Sequence, residues 1–102
     1  MKYLNYIFIL IPILFAQTLY AEEKLNIGKN IFLEKGNCAS CHTLSDAKSI
    51  AVIGPNLDEI RPTLEVVLAT VTNGVGVMPA YQDILSKEEI EAVAHYVSKA
   101  SN

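Results

Sequence analysis

The chain has 102 residues, two cysteines, two histidines, two methionines and a formal net charge of −3. That acidic balance, without any cluster of basic residues, argues against nucleic acid or an anionic lipid surface as a partner. The apolar share of 51 % misleads until the first stretch of the chain is set aside.

Lys2 supplies a short positive region, Tyr6 to Phe15 an apolar run, and Leu19-Tyr20-Ala21 closes on a small residue, the pattern of a secretory leader cut after Ala21. Tyr3 to Ala21 also approaches the roughly 20 residues that span a bilayer, so an uncleaved anchor is the alternative. Asn5, Gln17 and Thr18 interrupt such a span, and Leu19 is bulky for a cleavage site. The expectation is a signal peptide over residues 1–21 and one exported domain over 22–102, with membrane contact only if the leader is retained. That domain loses one base, Lys2, and no acid. So small a domain buries too little surface to be comfortable without a staple.

Glu22 and Glu23 read as a solvated start. Leu25, Ile27, Ile31 and Phe32 recur at helical spacing, which predicts an amphipathic helix over Leu25 to Lys35 ended by Gly36-Asn37. Gly28 costs that helix about 1 kcal/mol relative to alanine, and close approach of another helix is the reason we expect. Cys38-Ala39-Ser40-Cys41-His42 follows. Two thiols three positions apart with a histidine directly after them read as a c-type haem attachment site, with thioethers from Cys38 and Cys41 and His42 as proximal iron ligand. A structural zinc needs about four ligands, and Cys38, Cys41, His42 and His95 are the only Cys or His candidates. A redox pair would need a βαβ context, and a bare Cys38–Cys41 disulfide would leave His42 unexplained.

Thr43 to Ile53 has no sustained period and reads as a loop. Gly54-Pro55-Asn56-Leu57 is a turn signal, with a short helical turn over Asp58 to Ile60. Pro62 suits a first helical turn, and Leu64, Val67, Leu68 and Val71 carry a helix to Thr72. Asn73-Gly74-Val75-Gly76-Val77 breaks it and hands the chain to Met78-Pro79-Ala80-Tyr81. Ser86 and Glu89 form a capping box with Leu85 before it. Ile90, Val93, Ala94 and Val97 then line one face of a final helix to about Ala100.

The haem reading asks for a second axial ligand, and the candidates are few. Met1 leaves with the leader, which leaves Met78 in its glycine-flanked loop. Its plainer role is a core gap-filler. His95, the rival, falls with Glu88, Glu91 and Lys99 on the outer face of the last helix and reads as solvated beside Glu91.

Four features in order resemble the class I c-type cytochromes, specifically the small monohaem bacterial members: a leading helix with Gly28 and Phe32, the Cys38-to-His42 motif, Gly54-Pro55-Asn56-Leu57, and Val77-Met78-Pro79-Ala80-Tyr81 before a terminal helix carrying Tyr96. The resemblance implies an all-α small cytochrome c fold whose N- and C-terminal helices cross at Gly28, Phe32 and Tyr96. It also implies the Pro55 carbonyl as acceptor for the His42 Nδ1 proton. The chain departs from the pattern in a longer stretch between Phe32 and Cys38. It also has fewer lysines than mitochondrial cytochromes carry, which argues against a mitochondrial-style docking surface.

An iron with both axial positions filled has no open site for substrate, so the chemistry left is one-electron transfer rather than enzymatic turnover. The expectation is a periplasmic carrier with one covalent haem c and His42/Met78 ligation, its potential raised by methionine and by an apolar pocket of Leu57, Leu64, Leu68 and Leu85. Partners would be a donor dehydrogenase or cytochrome complex and an acceptor oxidase or peroxidase. The rival reading is a dedicated subunit of a periplasmic dehydrogenase, such as a molybdenum sulfite dehydrogenase. A further rival is a haem-based sensor in which a small ligand displaces Met78, with Gly74 and Gly76 permitting the loop motion.

Overall fold

A computed structural model describes the backbone of residues 4–102 and the side chains of residues 12–102. The expectation for Lys2, and for the greater part of the apolar run from Tyr6, lies outside these residues. Among the described side chains no helix is long and apolar enough to cross a membrane. The chain forms helices α1 (Leu4–Leu33), α2 (Leu57–Ile60), α3 (Leu64–Asn73) and α4 (Lys87–Ala100), with strands β1 (Thr43–Leu44) and β2 (Ser49–Ile50) between the first two helices. This is the mostly helical fold the sequence predicts.

Helix α1 differs from the expected Leu25–Lys35. It is continuous through Ala21, Glu22 and Glu23, because neither glycine nor proline interrupts the chain there, and it stops at Leu33. The Gly36 N–H reaches back to the Ile31 carbonyl at 2.7 Å. Asn37, at φ 51°, takes the left-handed position that turns the chain away.

Helices α1 and α4 pack across each other where sequence analysis expects. A Cβ on Gly28 would stand 2.6 Å from the Tyr96 Cβ and would also run into the Ala92 carbonyl. The glycine therefore buys backbone contact that no other residue permits. One turn on, Phe32 is fully buried and meets the Tyr96 ring edge-on, centroids 5.9 Å apart at 64°. The Tyr96 hydroxyl donates to Asp46 Oδ2 at 2.6 Å, and Lys29 Nζ lies 3.4 Å from the same oxygen. Burial, then the Asp46 carboxylate, raises the Tyr96 phenol above its ordinary range. The Tyr96 hydrogen bond, then Lys29, holds Asp46 below its own.

Thr43 to Ile53, expected as loop, contains a two-strand hairpin with Thr43 opposite Ile50 and Leu44 opposite Ser49. Two-residue strands are too short to show an alternation in sequence, yet they bury Leu44 completely. Pro62 lies before α3 rather than within its first turn. The N-cap is Thr63, whose Oγ1 accepts from the Val66 N–H at 3.3 Å. Helix α4 has the full capping box: Glu89 N–H to Ser86 Oγ at 3.1 Å, and Ser86 N–H to Glu89 Oε1 at 2.9 Å. Glu89 also meets Lys35 Nζ at 2.8 Å, joining the end of α1 to the start of α4.

Gly28→Val should destabilise the folded protein by about 1–3 kcal/mol through overpacking at the crossing, read as a lowered thermal midpoint. Because the folded state depresses Asp46, its contribution is present above the unfolded carboxyl value near 3.9 and is lost as pH falls through the lower folded value. Asp46→Asn should therefore be less stable than wild type at pH 7, with the two converging below about pH 4. Denaturant titrations across that range check it.

Candidate functional site

The site is wound by local geometry. After the left-handed turn at Asn37, Cys38 to Ser40 make a single 3-10 turn. The Cys41 and His42 N–H groups donate to the Cys38 carbonyl at 3.1 and 3.0 Å. One turn of backbone thus brings Cys38, Cys41 and His42 onto the wall of the same cavity, of about 450 Å³. Both cysteines are free thiols, so the bare disulfide is not formed. Burial pushes the Cys38 thiol up to about 11. Among the described residues no group of three or more His, Cys, Asp or Glu could hold a metal ion, which leaves the zinc reading without its ligands.

The segment after the hairpin holds the imidazole. His42 Nδ1 lies 2.8 Å from the Pro55 carbonyl oxygen. A carbonyl can only accept, so Nδ1 carries the proton and the Nε2 lone pair is left for a metal. The Gly54 N–H donates to the Cys41 carbonyl at 2.7 Å. A Cβ on Gly54 would stand 2.7 Å from His42 Cε1, so this glycine is the flat surface against which the ring lies. Asn56 caps α2 through its Oδ1 and the Asp58 N–H at 3.0 Å. Asp58 in turn accepts from the Ser45 N–H and Oγ, both at 2.8 Å, fastening this segment to the hairpin.

The chain beyond α3 brings in Met78. Gly74 ends α3 at φ 71°, and a Cβ there would meet the Ala80 nitrogen and the Met78 carbonyl, both at 2.7 Å. Val75 and Met78 exchange backbone hydrogen bonds at 3.1 and 2.9 Å. Met78 lines the cavity with both cysteines and His42; His95 does not. His95 is half-buried on α4, with Glu91 acting on it. Burial and, secondarily, Lys24 lower its basicity, with Glu91 opposing.

The apolar wall differs from the expected set. Leu57 lines the cavity, but Leu64, Leu68 and Leu85 do not; their places are taken by Val66, Val67 and Val71 of α3. Leu64 and Leu68 are only partly buried against the core, and the phase of α3 gives its buried face, which is also the slot wall, to Val67 and Val71. Tyr81 is a site residue that residue-by-residue reasoning missed. It lines the cavity, and its hydroxyl donates to the Gly36 carbonyl at 2.8 Å, tying the methionine loop to the residues just before Cys38. Its only sequence signal is its place after Met78-Pro79-Ala80.

An apolar slot with two thiols on one helical turn, an oriented imidazole beside them and a thioether on its wall fits one chemical group, a covalently held haem. It defines a small haem-binding electron-transfer protein. The family model described as cytochrome c oxidase, cbb3-type, subunit III matches residues 23–97. Cytochrome c6 of Cladophora glomerata is 40% identical over 81 residues, covering 74% of this chain and 87% of the relative. Cytochrome c6 of Bryopsis maxima is 36% identical over 85 residues, 76% and 93% of the two chains. The crystal structure of the c-type cytochrome SorU from Sinorhizobium meliloti superimposes with a TM-score of 0.74 at 55% identity, covering 78% of this chain and 93% of that one. The chain belongs to the small class I c-type cytochromes, carries covalent haem c, and is an electron carrier, not an enzyme.

Gly54→Ala should displace the His42 ring and weaken its bond to Pro55, seen as a shifted Soret band and a broadened imidazole resonance in the holoprotein. Tyr81→Phe, which removes one hydrogen bond and no volume, should cost about 0.5–1.5 kcal/mol of holoprotein stability, read by denaturant unfolding.

Proposed function

We propose that this cytochrome is a periplasmic one-electron carrier in which Cys38 and Cys41 hold the haem through thioethers and His42 and Met78 are the axial ligands. The observation that carries this reading is the presence of His42 and Met78 on the wall of one cavity, with the His42 Nδ1 proton committed to Pro55. Haem supplies an iron that accepts and releases one electron between its ferric and ferrous states. The protein's part is to orient and to tune. The Pro55 carbonyl raises the basicity of the imidazole and fixes its tautomer. The thioether of Met78 favours the ferrous state and so raises the potential. Leu57, Val67 and Val71 give the slot a low dielectric, in which the extra charge of ferric iron is disfavoured.

The same proposal takes residues 1–21 as an export leader removed after Ala21, on the order of Lys2, the apolar run and Ala21. Its partners are then periplasmic redox proteins, a dehydrogenase or cytochrome complex as donor and an oxidase or peroxidase as acceptor. A lasting association with a dehydrogenase is the second reading. It is favoured by the apolar side chains left exposed in the segment that leads to slot-lining Ile53, where Ile50 and Val52 are each 86% exposed.

Met78→Ala tests the ligation. The variant should lose the near-infrared sulfur-to-iron band, show a lower midpoint potential and bind carbon monoxide. A retained band would show that another group fills the sixth position.

A further inference from the structure

A ligand carried on a loop is held no better than the two ends of that loop. On the upstream side of Met78 the backbone closes on itself: the Gly74 N–H donates to the Thr70 carbonyl at 2.8 Å, and Val75 and Met78 exchange hydrogen bonds. On the downstream side it does not. Pro79 has no N–H to donate, and the Ala80 N–H has no backbone acceptor among the described residues. The first hydrogen-bonded hold after Met78 is therefore Tyr81.

Tyr81 is fixed at both of its ends. Its carbonyl accepts from the Ile84 and Leu85 N–H groups at 2.9 and 2.8 Å, and Leu85 is buried in the core. Its hydroxyl donates at 2.8 Å to the Gly36 carbonyl, 45 residues back in the chain. Gly36 has little freedom of its own: its N–H is bonded to the Ile31 carbonyl of α1, and a Cβ there would stand 3.1 Å from Cys38 Sγ. A tyrosine side chain turns about only two torsions, so the bond sets the distance between the methionine loop and the turn that carries Cys38, Cys41 and His42. Tyr81 and Met78 both line the slot, which makes this bond a tie between two walls of the site.

Such a bond exists only while the loop lies against the turn. If the loop swings out to release Met78, the hydroxyl passes to water, and the net worth of the bond is lost from the closed state. The bond from the Tyr96 hydroxyl to Asp46 has no such coupling, because it joins α4 to the hairpin turn and leaves the methionine loop untouched.

We propose that Tyr81 is the positioning residue for the sixth ligand, its hydroxyl bond to Gly36 latching the methionine loop onto the cysteine turn and so setting how readily Met78 gives way to an incoming ligand. The inference rests on Met78 being that ligand.

The test is titration of the ferric holoprotein with imidazole, whose ring nitrogen competes with the thioether, followed by loss of the near-infrared sulfur-to-iron band. In Tyr81→Phe the band should be present without imidazole, and the apparent affinity for imidazole should rise about two- to tenfold, the worth of one neutral hydrogen bond. Tyr96→Phe removes a hydroxyl bond at the helix crossing instead and should leave that affinity unchanged, so that a general loss of stability is not the cause. In Met78→Ala, where imidazole binding is read from the Soret band, adding Tyr81→Phe should have no effect, because no thioether remains to be displaced. With the band lost in Met78→Ala, equal imidazole affinity in wild type and Tyr81→Phe would overturn the assignment of Tyr81 alone. An equal rise in Tyr96→Phe, or a rise that persists in the Met78→Ala background, would do the same. A band retained in Met78→Ala would overturn the ligand reading and this one with it.

Discussion

A cavity of about 450 Å³ in the middle of so small a domain is the constraint on which everything else depends. Interiors are close-packed, and a void of that size without an occupant forfeits the contacts of every residue around it. Phe32, Val67, Val71, Val93 and Val97 are at once the buried core and the wall of the slot. The cofactor is therefore part of the core, and anything bound only by the folded chain adds its binding free energy to stability. Covalent attachment of the haem makes that contribution permanent.

Around the cavity, alignment is set by backbone carbonyls more than by side chains. Cys41 accepts from Gly54, Pro55 from His42, and Gly36 from Tyr81. Each bond joins two segments far apart in sequence at a point that touches the haem site. Carbonyls bound to secondary structure or turns move little, so an imidazole oriented by one is held more rigidly than one oriented by a mobile carboxylate. This suits an electron carrier, whose ligand set should change little between its two oxidation states.

The charge pattern follows the same division. No lysine, arginine, aspartate or glutamate lines the slot, and among the described residues the ion pairs lie outside it: Lys29 with Asp46, and Lys35 with Glu89. Both pairs brace α1, one against the hairpin turn and one against the start of α4. Each is partly solvated, and such pairs contribute little individually. Their effect here is on the register of the crossing, which the close contact at Gly28 has already made intolerant of displacement.

Much of the architecture was legible in the sequence because it depends on local pattern. The Cys38–His42 motif, the capping box at Ser86 and Glu89, the helical period of α4 and the need of Gly28 for a close neighbour all act within a few residues or through one missing side chain. The elements that were misread share a different cause. The hairpin at Thr43–Ile50 is too short to carry a period, α1 meets no glycine or proline at Ala21 to Glu23 to end it, and the phase of α3 puts valines rather than leucines into the slot. Tyr81 acquires its role only from a carbonyl far back in the chain. The sequence by itself determined which groups could hold a haem, because chemical identity and spacing are local. Only the tertiary structure decided which side chains of α3 wall the slot and that Tyr81 ties the methionine loop to Gly36, because helix phase and crossing are set by packing between segments that sequence spacing does not relate.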